Sequence, residues 1–205
     1  MLLAYLFKRS DNFSQHIAEL CNGAFFFACR SCEYAKTKGT RKTEIITLGN
    51  ICFRTRNRVI TDPALLSSAE TVSITFVNQK NENNYETMTQ HSSTHSNQNP
   101  VAIWASIYNR VINIPGASLS SNINIFYNHS TKQVETITAD QIRVSLQWAA
   151  AELGHERLGY HPHEVGCHSI RSGAAMEMYL NKVPTFTIML QGRWCSDAFL
   201  RYIRK

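Results

Sequence analysis

No apolar run in this chain of 205 residues approaches the ~18 consecutive apolar residues that a membrane-spanning helix needs. The opening MLLAYLF stops after seven residues, and its charge, Lys8 and Arg9, follows the apolar part. A secretory leader has the reverse order. A soluble, intracellular protein with no membrane partner is therefore expected. Charged residues are scarce, at 18%. The acids are scarcer than the bases, which leaves a net charge of +6 and a pI of about 9.1. Such an excess is compatible with a nucleic-acid partner without requiring one. A disulfide framework is also missing: the six cysteines show no extracellular spacing, and reduced thiols are expected. Cys29 and Cys32 form one CxxC inside the apolar run AFFFACRSCEY. A zinc site would need a second pair at matching spacing, and there is none, so buried structural cysteines are the better reading. No internal repeat and no long low-complexity linker divides the chain.

What is present is an orderly succession of patterns. Residues 13 to 36 read as one helix with a broad apolar face and Ser14 as its N-cap. TEIITLGNICFRT is β-type. In TVSITFVNQKNENNYETMTQHS, Val72, Ile74 and Phe76 alternate with polar residues, and NQKNENN makes the turn of a hairpin. PVAIWASIYNRVINI starts a helix at Pro100, and NINIFYN is a short strand candidate. TADQIRVSLQWAAAELG has Thr138 to start a helix and Gly154 to stop it. HERLGYHPHEVG reads as a loop. Helices are expected from His168 to Lys182, from Pro184 to about Arg193, and from Ser196 onward. The fold class is α+β, mainly helical: a helical bundle with a small three-stranded antiparallel sheet.

The chemistry-bearing residues crowd toward the end. HSIR places His168 and Arg171 three apart on one helix face, where both can donate to one anion. GRW supplies Trp194, and Tyr202 follows eight residues later. Upstream, AFFFACRSCEY offers Arg30 and Glu33 on a helix, and FVNQKNENN offers Lys80 in a hairpin turn. Each residue alone has an ordinary structural explanation. A helical HxxR is commonly a surface pair, a Trp is commonly core, and a turn lysine is commonly solvated. The order and spacing of the whole set form the signal.

That set resembles the tyrosine recombinase (phage integrase) family over about residues 15 to 205. The wording HSIRSGAAMEMYL…GRWCSDAFLRYIRK looks most like recombinases of Crypton or DIRS-type eukaryotic mobile elements. The resemblance implies a catalytic domain from 15 to 205 behind a short N-terminal arm, 1 to 14. It implies strand breaking and rejoining on double-stranded DNA through a 3′-phosphotyrosyl link. In that scheme Tyr202 is the nucleophile, and Arg30 and Arg171 clamp the phosphate. Trp194 and His168 add donors, with His168 also a candidate base. Lys80 protonates the leaving 5′-oxygen, and Glu33 supports the Arg30 helix. Arg193, Arg201 and Arg204 flank the site as expected contacts to backbone phosphates. No cofactor, no metal and no small-molecule substrate is implied; the partners are DNA and further copies of the chain on it. The location is intracellular and DNA-associated, nuclear if the host is eukaryotic.

Two departures from the family pattern stand out. Family members carry a helical clamp domain before the catalytic region and a helix after the tyrosine. Here at most fourteen residues precede the region, and Ile203, Arg204 and Lys205 follow Tyr202, so either a fragment or a degenerate element-derived gene is expected. A noncatalytic DNA-binding remnant is accordingly the main alternative. A type IB topoisomerase shares the residue set, but the short hairpin and the close Trp–Tyr spacing favour a recombinase. A zinc module built on Cys29, Cys32 and the histidines is a third option. His155, His161 and His163 lack regular ligand spacing and read as surface histidines. Gln90 and His91 carry no assigned role.

Overall fold

The computed structural model describes residues 1–39, 43–56, 58–78, 85–94, 99–196 and 200. In chain order its elements are α1 (Leu2–Phe7), α2 (Asn12–Phe26), α3 (Ser31–Tyr34), β1 (Ile51–Thr55) and β2 (Arg58–Ile60). Next come β3 (Thr71–Phe76), β4 (Glu86–His91), α4 (Pro100–Ile112), β5 (Ile125–Asn128) and β6 (Gln133–Thr136). The remainder is α5 (Ala139–Leu153), α6 (His155–Leu158), α7 (Cys167–Leu180) and α8 (Thr185–Gly192). The class is α+β with a small antiparallel sheet, and no helix among the described residues is long and apolar enough to cross a membrane. The chain forms two compact units: Met1–Ser31 with Thr138–Lys205, and Cys32–Ile137.

The first unit is helical. Asp11, not Ser14, caps α2: its carboxylate accepts the Ser14 N–H at 2.7 Å, which satisfies a donor that no helical carbonyl can reach. α2 buries Ile17, Leu20, Cys21 and Ala24. The opening residues, read from sequence as an arm, form α1, which packs on α2 and α5 and buries Leu6 completely. α5 begins and ends where the sequence indicates. Thr138 and Gln141 cap each other's backbone, and Gly154 takes a φ of +80°. The stretch after it is not all loop, because α6 and a 3₁₀ turn, Pro162–Glu164, interrupt it. α7 and α8 pack through Ala175 and Ile188, with Met178, Val183, Met189 and Trp194 around them.

The single helix expected over 13 to 36 is broken. The Ala28 N–H bonds to Phe25 O at 3.0 Å, and the Cys29 N–H reaches back to Ala24 O at 2.9 Å. This is a Schellman ending, with Ala28 in the left-handed position at a φ of +44°. Glycine is the usual residue there. Its absence hides the stop inside an unbroken apolar run.

The second unit is built on an antiparallel sheet in the order β2-β1-β3-β4. It has four strands rather than three: β2, a three-residue edge strand, pairs with the end of β1. Phe53, Val72, Ile74 and Phe76 point into the core, as their alternation predicts. Trp104, Ile107 and Val111 of α4 are buried too, and Tyr108 meets Phe53 edge-on at 6.0 Å. Arg110 donates to the carbonyls of Ile123 and Ile125, so α4 holds the start of the β5–β6 hairpin. β6 was not legible as a strand.

Candidate active site

Four of the six residues expected to catalyse lie among the described residues, and all four belong to the helical unit. Lys80 and Tyr202 lie outside the described residues, as do Arg201 and Arg204.

Arg171 projects from the buried face of α7 and is only 4% exposed. Its Nη1 donates to Ala28 O and its Nη2 to Gly192 O. Its guanidinium carbon sits 4.2 Å from the centre of the Trp194 ring, a cation–π contact. Arg30 comes from the segment just after the α2 stop, and its Nη2 donates to Arg193 O at 3.1 Å. The two arginines expected to form the phosphate clamp therefore hold consecutive carbonyls of one turn, 192 and 193, directly before Trp194. Arg30 and Arg193 are 163 positions apart in sequence.

The turn has its own chemistry. α8 ends in a second Schellman motif: the Arg193 N–H bonds to Leu190 O at 3.0 Å and the Trp194 N–H to Met189 O at 2.9 Å. Arg193 takes the left-handed position, at a φ of 54° and ψ of 45°. The adjacent glycine serves a different purpose, since a Cβ on Gly192 would lie 1.7 Å from an atom of the Trp194 ring.

Arg193 is not the surface residue expected from sequence. It is 4% exposed, and its Nη1 donates to Phe27 O at 3.1 Å. Gln191, which the sequence reading did not single out, donates to Phe26 O at 3.1 Å. Three consecutive carbonyls at the end of α2, those of Phe26, Phe27 and Ala28, thus receive Gln191, Arg193 and Arg171. The end of a helix carries partial negative charge and carbonyls without helical partners, so two guanidiniums and an amide suit it. Only the GR dipeptide before Trp194 hinted at this turn, and it placed the glycine one residue from the left-handed position.

His168 lies near the start of α7, partly exposed and partly covered by its neighbours. Desolvation lowers its pKa from the ordinary 6.5, and repulsion from Arg171 lowers it further. A neutral imidazole at neutral pH has one nitrogen able to accept a proton. Glu33 is 1% exposed on α3, and its carbonyl accepts the Ile46 N–H at 2.9 Å.

The remaining histidines stack. The rings of His155 and His161 are 4.0 Å apart and nearly parallel, and His163 follows at 5.6 Å. Among the described residues no three His, Cys, Asp or Glu side chains converge as a metal ion would require. No family model matches the chain, and no curated protein matches it.

Proposed function

We propose that the chain breaks and rejoins DNA strands in the manner of a tyrosine recombinase. The observation that carries this reading is the meeting of Arg30, Arg171 and Trp194 at the 192–194 turn, with His168 one helical turn from Arg171. These are the residues that the sequence resemblance names, brought together from distant parts of the chain. Fixed guanidiniums suit this chemistry because negative charge grows on the non-bridging phosphate oxygens during transfer.

In the proposed reaction the Tyr202 phenol loses its proton, with His168 as the candidate acceptor. The phenolate oxygen attacks phosphorus. The bond from phosphorus to the 5′-oxygen breaks, and Lys80 gives that oxygen its proton. The phosphodiester energy stays in the phosphotyrosyl link, so rejoining needs no nucleotide cofactor. The partners would be double-stranded DNA and other copies of the chain, and the setting DNA-associated, in the nucleus for a eukaryotic host.

The test is a duplex nicked near the cleavage point, from which the short cleaved strand diffuses away. A denaturation-resistant adduct is expected, with its mass on the peptide that contains Tyr202. An adduct that survives Tyr202→Phe would overturn the assignment.

One observation favours the noncatalytic alternative. Arg171 is 4% exposed with both terminal nitrogens on backbone carbonyls, as in a residue retained for the fold. DNA binding without adduct formation on any duplex would select that reading.

A further inference from the structure

The sheet unit carries a basic surface that the proposed chemistry does not use. Between Glu44 and Asp62 the sequence has three arginines, Arg54, Arg56 and Arg58, and no acidic residue. All three are exposed and sit on the β1–β2 hairpin. Their side chains form no ion pair with a carboxylate among the described residues; the one acid at the tip, Glu70, accepts the backbone N–H of Arg56 at 2.9 Å.

The register shows what surrounds them. Phe53 and Val72 face the core, so Arg54 and Thr71, which pair across β1 and β3, lie on the opposite face. His91 pairs with Thr71, and Thr87 and Thr89 continue the same exposed face along β4. That face carries Arg54 beside hydroxyls that pair with one another, Thr89 with Ser73 at 2.8 Å and Thr87 with Thr75 at 2.9 Å, while Arg58, opposite Thr55, projects from the other face of the ribbon. Between the paired Thr55 and Arg58, Arg56 takes a φ of 43°. Such a φ favours Gly or Asn. A long cation stands at the apex against the backbone's preference.

We infer that the β1–β2 hairpin, which carries arginines on both of its faces, is a binding surface for the phosphate backbone of duplex DNA. Guanidinium pairs with phosphate in a bidentate fork. A two-stranded β-ribbon is narrow enough to enter a major groove. The charge selects a polyanion. The choice of DNA among polyanions rests on the proposed function.

The experiment measures binding of the full chain to a labelled random-sequence duplex by fluorescence anisotropy across a salt series. Arg54→Gln, Arg56→Gln and Arg58→Gln are combined in one variant. A matched variant, Lys8→Gln, Arg143→Gln and Arg157→Gln, loses the same charge from exposed sites of the helical unit. The hairpin variant should bind at least roughly 10-fold more weakly at low salt, and its slope of log K against log salt should flatten by about 0.9 per lost phosphate contact. The matched variant should stay near the parent. Should the triple variant fail to fold, Arg54→Gln and Arg58→Gln singly avoid the strained turn, and each should flatten the slope by about 0.9. Equal loss in both triple variants would overturn the inference, as would tighter binding to duplex RNA or anionic vesicles, or no binding of the parent to duplex DNA. Binding that ignores the hairpin while the Tyr202 adduct still forms overturns this inference alone. Hairpin-dependent binding without an adduct overturns only the catalytic reading.

Discussion

The Arg171 guanidinium lies 4.2 Å above the Trp194 ring while its two ends hold the carbonyls of Ala28 and Gly192. Ala28 ends α2 in a left-handed turn, and Gly192 precedes the left-handed Arg193 at the end of α8. One side chain thus joins two helix ends whose left-handed residues are not glycine. Arg171→Ala would leave both carbonyls buried without this donor. A loss of about 3 kcal/mol is expected in urea melts, since a buried charged donor is removed from its partners. Arg171→Lys keeps the charge but not the fork, and should recover only part of it. Melts unchanged by either substitution would mean that the carbonyl contacts do not hold the fold together.

Gly192 gives a sharper steric test. A methyl group there would stand 1.7 Å from the Trp194 ring. A ring cannot bend away from it, so Trp194 must swing off Arg171 or α8 must shift. Gly192→Ala should therefore cost more than ~3 kcal/mol, an overpacking penalty well above that of an ordinary Gly→Ala change. Near-ultraviolet circular dichroism should register the lost ring environment. A variant as stable as the parent would contradict the close approach.

Asp11 links the fold to pH. Burial pushes its carboxyl upward, but hydrogen bonds from Arg9 and from Ser14 outweigh that and hold it at about 2. The folded pKa is below the unfolded one, so its contribution is complete above about 4 and is lost as pH falls toward 2. Asp11→Ala should cost roughly 1 kcal/mol at neutral pH, the typical worth of an N-cap. Asp11→Ala and the parent should converge in stability as pH falls toward 2. A gap that persists there would assign the effect to something other than the carboxylate.

Periodicity and caps were enough for α5 and for the β3–β4 hairpin, because Thr138, Gly154 and the Val72–Ile74–Phe76 alternation are local signals. The break after α2 was not, since Ala28 adopts a glycine's conformation with tertiary partners to hold it. β2 and β6 were missed because each is short and largely exposed, and pairing rather than composition makes them strands. Type and spacing single out Arg171 and Trp194, and the structure brings these two within 4.2 Å of each other. The burial of Arg193 was not, because a cation near a chain end looks alike in sequence whether it meets solvent or a helix terminus.

His168 should shape the pH dependence of cleavage. Desolvation first, and Arg171 second, lower its pKa from 6.5. The imidazole is then mostly neutral at pH 7, as the proposed role of proton acceptor for Tyr202 requires. Adduct formation should decline as pH falls through an apparent pKa below 6.5, and His168→Gln should slow the reaction and remove that limb. The same shift means that the unfolded chain gains this proton first, so acid also weakens the fold in that window. Melts at each pH separate the two effects. A limb that remains in His168→Gln would place the titrating group elsewhere.

In the proposed reaction Lys80 protonates the leaving 5′-oxygen, and it is the only lysine of the stretch NQKNENN. An alkoxide leaves poorly without a proton, so Lys80→Ala should slow cleavage by ~10²–10⁴ on an ordinary duplex. A thiolate needs no such help, because a thiol's pKa is about 8.5. Replacing the bridging 5′-oxygen with sulfur should then restore near-parental cleavage to Lys80→Ala. The comparison separates three roles for one residue. A defect on oxygen alone marks a proton donor. An equal defect on both substrates marks a group that positions the phosphate through its charge. No defect on either leaves an ordinary solvated lysine, and the leaving oxygen must then take its proton from another group.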